Sequence, residues 1–171
     1  GLISKDFEKH ELAIQHYLEA LKRAPGDPSF DQADEIRTEL AEVYIRMRNY
    51  QAAQTQLDQL SSTATPPLQA TANAYLADCA LALGQFEDAE RLVNLSIQQD
   101  PTLPHGQTIL GILSMQIGKT EQARTALEKA AELDPGNDRV FFQLSNVLRQ
   151  LGESELADQA FTRHEEIKTL K

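Results

Sequence analysis

One alanine recurs through the whole chain, at Ala13, Ala53, Ala89, Ala123 and Ala157, in steps of 40, 36, 34 and 34 residues. The stretches Leu83–Pro101 and Ile117–Pro135 show what repeats: each has Gly at its second position, Glu at its fifth, Ala at its seventh and Asp-Pro at its end. A period in this range constrains a fold more than composition does. It requires one small unit that cannot bury its own apolar face and must be stacked on copies of itself.

The remaining positions of the period specify that unit. Thirteen residues before the last four alanines stand Leu40, Leu76, Leu110 and Leu144, each followed by a small residue, Ala41, Ala77, Gly111 or Ser145. Three residues after the small one comes Tyr44, Ala80, Ser114 or Leu148, completing a stripe on one helix face. Four residues after each alanine comes a bulky side chain, Tyr17, Leu57, Val93, Leu127 or Phe161, one turn away on a second helix. These spacings predict two antiparallel helices, A and B, with the small residue of A allowing B to approach closely. Tyr17 and Phe161 are expected in the core.

Turn chemistry separates the helices. Gly84, Gly118 and Gly152 precede their alanines by five residues and supply the left-handed conformation that ends helix A, while Arg48 stands in that place in the second unit. Thr120 and Ser154 are expected as N-caps of helix B. Pro25, Pro101 and Pro135 close B helices, and Pro66 and Pro104 fit the first turn of the next A helix. The extra residues of the two long steps fall near Pro25–Phe30 and Ser61–Pro67, where longer loops are expected.

The pattern resembles the tetratricopeptide repeat (TPR) family over essentially the whole chain, although the usual Trp of helix A is Arg37, Asn73, Gln107 and Phe141. The expectation is an all-α fold, a right-handed superhelical array of antiparallel helix pairs with about four and a half repeats. The units read as 1–27 (truncated), 28–67, 68–101, 102–135 and 136–171 (terminal). The first holds a whole helix B, Lys9–Arg23, after only a stub of helix A, Gly1–Phe7, so the sequence is expected to be part of a longer protein. His164-Glu165 and Lys168 give the last helix the polar outer face of a terminal repeat.

Composition narrows the function. Apolar residues are 41% of the chain, which suits a folded protein, and Ala, Leu, Gln and Glu favour helix. A net charge of −10 repels nucleic acid and anionic membranes, and no run is long and apolar enough to span a bilayer. Cys79 is the single cysteine, so no intrachain disulfide can form, and its place beside Ala80 reads as interior. The chain opens with Gly rather than Met, so localisation is left open.

No catalytic, cofactor or metal motif is present. His10, His16, His105 and His164 are never three or four residues apart, and His164, Glu165 and Glu166 are successive positions that diverge on a helix. The expectation is a non-enzyme without cofactor or metal.

The resemblance implies a concave groove lined by helix A at positions 2, 5, 6, 9, 12 and 13, counting the turn Gly as 15. Carried over, these are Glu35, Thr38, Glu39, Glu42, Ile45 and Arg46 in the second unit, and Thr71, Ala74, Tyr75, Asp78, Leu81 and Ala82 in the third. The fourth gives His105, Thr108, Ile109, Ile112, Met115 and Gln116, and the fifth Arg139, Phe142, Gln143, Asn146, Arg149 and Gln150. The stripe runs from acidic through apolar to cationic. Ile109, Ile112 and Met115 would take apolar side chains, and Phe142, Asn146 and Arg149 would project together to grip backbone and carboxylate. The Lys–Asn pairing of the carboxylate clamp of some TPR cochaperones is absent: Asn146 follows Phe142. The expected function is binding of another protein or peptide segment in this groove. The alternative is a structural spacer or self-associating assembly platform within a larger, membrane-anchored protein or complex.

Overall fold

The computed structural model describes residues 2–23, 32–60 and 64–170, with side chains from residue 8 onward. Among the described residues the regular secondary structure is all α-helix: α1 (Leu2–Arg23), α2 (Ala33–Arg46), α3 (Tyr50–Leu57), α4 (Pro66–Ala82), α5 (Phe86–Gln99), α6 (Pro104–Gln116), α7 (Thr120–Leu133), α8 (Asp138–Gln150) and α9 (Ser154–Thr169). Helices α2–α3, α4–α5, α6–α7 and α8–α9 are tight A–B hairpins, and each B helix also packs on the next A helix. Successive A helices touch, α2 on α4, α4 on α6 and α6 on α8. The A helices therefore form the inner layer of an all-α TPR solenoid.

Each hairpin turns in the same way. Gly84, Gly118 and Gly152 have φ of 75°, 78° and 81°. In the first, Gly84 N–H donates to Leu81 C=O at 3.1 Å and Gln85 N–H to Ala80 C=O at 2.8 Å, which satisfies the last carbonyls of helix A. Arg48 takes the same left-handed conformation with φ 59°, so the turn survives loss of its glycine. This geometry corrects the expected N-caps. The residue after each glycine, Lys119 or Glu153, closes helix A and also serves as the N-cap of helix B, which makes Thr120 and Ser154 the first helical residues. Pro66 and Pro104 do open α4 and α6, and α5 and α7 stop just before Asp100-Pro101 and Asp134-Pro135.

The core follows the repeat. Ala53, Ala89, Ala123 and Ala157 are fully buried, as are Leu40, Ala41, Ala77, Val93, Leu127 and Ser145. Leu76 and Leu110 are half-buried, between layers. Gly111 shows why the position after the leucine is small: a Cβ there would lie 2.5 Å from Leu127 Cγ. Phe161 departs from its expected core role and is 36% exposed, because α9 packs chiefly on α8.

Two further differences concern the early part of the chain. The expected stub of helix A and the helix B that follows it are one uninterrupted helix, α1, in a stretch that has neither Gly nor Pro to break it. Nine residues separate Arg23 from Ala33 and eight separate Leu57 from Pro66, against four between α5 and α6. The longer connections thus fall where the period lengthens. Pro25, Phe30 and most of the first connection, with Ser61 and Ser62 of the second, lie outside the described residues.

Candidate functional site: a polar hollow on the inner helices

The four A helices meet around a hollow of about 370 Å³. Glu42, Ile45 and Arg46 come from α2, Tyr75 and Asp78 from α4, His105 from α6 and Arg139 from α8, with Asp134 and Asn137 from the preceding turn. The repeat geometry explains the gathering. Position 9 of one A helix lies beside position 2 of the next, so Asp78 meets His105, and Arg139, one repeat further on, reaches back to the same carboxylate.

Asp78 is the centre. Its side chain is only 8% exposed, with Oδ2 lying 3.5 Å from His105 Nε2 and 3.8 Å from Arg139 Nη1. Neither approach is a hydrogen bond, and both Oδ2 and His105 Nε2 are buried without a hydrogen-bond partner. A desolvated carboxylate atom in that state is costly to maintain. Burial pushes the His105 imidazole below its ordinary pKa, more than Asp78 raises it, and Arg139 acts in the same direction as burial. His105 is therefore neutral at neutral pH and stacks edge-on to Tyr75, with ring centroids 5.0 Å apart.

Glu42 organises the other wall. It accepts a hydrogen bond from the Arg46 guanidinium, and its charge lies close to the Tyr75 hydroxyl. Burial, and then the Glu42 charge, raise the Tyr75 pKa, so the phenol stays protonated. A second hollow of about 300 Å³ continues along α2 toward α1, lined by Tyr17, Glu39, Glu42 and Arg46.

Of the residues expected to line the groove, Glu42, Ile45, Arg46, Tyr75, Asp78, His105 and Arg139 come together here, Glu39 lines the adjoining hollow, and Glu35 is exposed near the start of α2. The apolar centre does not form as expected. Ile109 is fully buried and Ile112 is 7% exposed, both within the core between α4, α5 and α6, while Met115 packs against the core of the last two pairs. The side chains of Ile109 and Ile112 thus pack within the core, while Met115 is half-buried at its edge. At the far end, Phe142 packs at 5.4 Å from the His164 ring, and Arg149 lies over Phe161 at 5.4 Å and 3.8 Å from Asp158. These side chains fold onto α9, and Asn146 is half-buried beside them. Asp134 and Asn137 were not legible as site residues because they belong to the turn before helix A. Among the described residues no group of three metal-ligating side chains assembles, and no helix is long and apolar enough to cross a membrane.

Comparison with known proteins agrees with this architecture. Tetratricopeptide repeat models match residues 38–104 and 106–137. Among solved structures, a thermophilic TPR protein in Thermus thermophilus superposes with a TM-score of 0.75 at 18% identity, over 97% of this chain and 87% of that one. MamA superposes with a TM-score of 0.64 at 18% identity, over 96% of this chain and 92% of that one. MamA from Desulfovibrio magneticus RS-1, from residue 41 to its end, gives 0.63 at 17% identity, over 93% and 97%. No curated protein matches the chain significantly. With its period, its glycine turns and its stacked hairpins accounted for, the chain belongs to the tetratricopeptide repeat family of protein-interaction scaffolds.

Proposed function

We propose that the chain is a non-catalytic interaction module that holds a segment of a partner protein along the inner face of its A helices. The observation that carries this reading is the hollow built by four successive A helices, which no single repeat could make. Its walls are held by core packing, so a partner meets a largely preformed surface. Charged and aromatic groups line it, which suits a polar peptide more than an apolar helix.

Site-specific photocrosslinking tests the face used. A photoreactive residue at Arg46, whose side chain is 63% exposed on α2, is compared with one at Arg91, 61% exposed on the B helix α5. The expected outcome is partner adducts from position 46 and few from position 91. The reverse pattern overturns the inner-face reading. The double variant Asn146→Ala/Arg149→Ala then measures how far the segment extends: lost affinity carries contact to the end of α8, and unchanged affinity confines it to the hollow.

A second reading, self-association, is favoured by one observation. Phe141, Leu144, Leu148, Leu156 and Ala160 line an apolar hollow of about 280 Å³ on the outer side of α8 and α9, with Leu156 43% exposed. Sedimentation velocity with wild type and Leu156→Glu tests it. A concentration-dependent dimer lost in the variant supports an assembly platform.

A further inference from the structure

We propose that the hollow around Asp78 is an anchor for a single basic side chain, arginine or lysine, presented by the partner segment; this rests on the inner-face reading above. The inference starts from Asp78 itself. The carboxylate sits in the middle of α4 with no cation on its own helix within reach, since Ala74, Tyr75, Leu81 and Ala82 occupy the neighbouring turns. It is more than nine-tenths buried, it faces the hollow, and its Oδ2 accepts no hydrogen bond. A buried carboxylate atom with no donor is a vacant acceptor for a charged donor arriving from the open side.

The rest of the hollow has the matching chemistry. Of its charged groups, Glu42, Asp78 and Asp134 are carboxylates, against the guanidiniums of Arg46 and Arg139. Arg46 is engaged by Glu42, and His105 is held neutral by burial, so neither cancels Asp78. Arg139 reaches only to 3.8 Å and keeps half of its side chain in solvent, which makes it a displaceable partner. Ile45 offers an apolar wall for the methylene stem, and Tyr75 with His105 offers aromatic surface for the cationic head. At about 370 Å³ the hollow is at the small end of ligand pockets, a size for one long side chain and its adjoining backbone. The chain's charge of −10 also draws a basic partner toward this surface.

The test is an NMR titration of the isotope-labelled chain with three capped pentapeptides, in which alanines flank one arginine, one lysine or one citrulline. The arginine and lysine peptides are expected to shift the amides around Tyr75, Asp78 and His105. The citrulline peptide, nearly the same shape without charge, should bind at least tenfold more weakly. Asp78→Asn should weaken the basic peptides at least tenfold while leaving the thermal midpoint near or above that of wild type. Arg139→Gln should strengthen them severalfold, because it removes the competitor for the same carboxylate. Equal binding of citrulline and arginine, unchanged binding in Asp78→Asn, or no shifts near Asp78 overturns the anchor. Shifts confined to other A-helix positions sink the anchor and leave the inner-face reading standing, and crosslinking from position 91 alone removes both.

Discussion

Gly111 on α6 lies so close to Leu127 on α7 that a Cβ built on the glycine would meet Leu127 Cγ at 2.5 Å and Cδ2 at 2.9 Å. The atoms met are the branch point and a methyl of a fully buried side chain, not the free end of a flexible one. Overpacking of this kind costs about 1–3 kcal/mol, and replacing a mid-helix glycine returns at most ~1 kcal/mol. Gly111→Ala is therefore expected to lower stability in denaturant unfolding. In the double variant with Leu127→Ala the two costs should sum to less than the singles, because the truncated side chain vacates the contested space. Strict additivity would show that the helices move apart instead.

Arg48 and Gly84 occupy the same turn position in successive hairpins, at φ 59° and 75°. An L-residue in that conformation carries roughly 1–2 kcal/mol of strain, of which glycine's extra unfolded-state freedom offsets up to ~1 kcal/mol. Arg48→Gly should stabilise the array modestly and Gly84→Ala should destabilise it, although nothing lies within 4 Å of the added methyl. Paired thermal melts check the sign. Destabilisation by Arg48→Gly would mean that contacts of the arginine outweigh its backbone strain.

The same residues explain what was legible in the sequence. Periodicity reads backbone and core, because each repeat solves one packing problem in one way: the alanine at 53, 89, 123 and 157, the small residue at 41, 77, 111 and 145, and the left-handed turn all recur. The site is written between repeats, and there the period was a poor guide. Ile109 and Ile112 hold groove positions by register but lie buried between α4, α5 and α6, where Ala77, Ala80 and Leu81 of α4 and Ala89 and Val93 of α5 belong to the same cluster. The 9-to-2 juxtaposition that joins Asp78 to His105 needs the rotation between repeats, which spacing within one helix does not encode. Phe161 keeps the register of a core residue, yet it is exposed and lies under Arg149.

Cys79 is fully buried, and burial followed by the neighbouring Asp78 charge pushes its thiol up to about 12. The reactive thiolate is therefore scarce at neutral pH and shielded from reagents. Labelling by a disulfide reagent is expected only through opening of the array, at a rate that rises with denaturant in step with global unfolding. Fast stoichiometric labelling of the native chain would show that α4 opens locally.

His105 makes stability depend on pH in one direction. Its folded pKa lies below the ordinary 6.5, chiefly through burial, with Arg139 adding to the effect and Asp78 and Glu42 opposing it. Tyr75, Arg46 and Asp134 complete its charged and titratable surroundings in the hollow. Between the folded and unfolded values the unfolded chain binds more protons, so stability rises with pH across that window and is level above it. Acidification from about pH 7.5 to about pH 5.5 should then lower the thermal midpoint, and His105→Gln should remove part of that fall by keeping a neutral side chain there at both pH values. Equal falls in wild type and variant would show that His105 accepts its proton in the folded state without penalty. The carboxylate of Asp78 would then be taken by the imidazolium at low pH, and basic peptides should lose affinity over the same range.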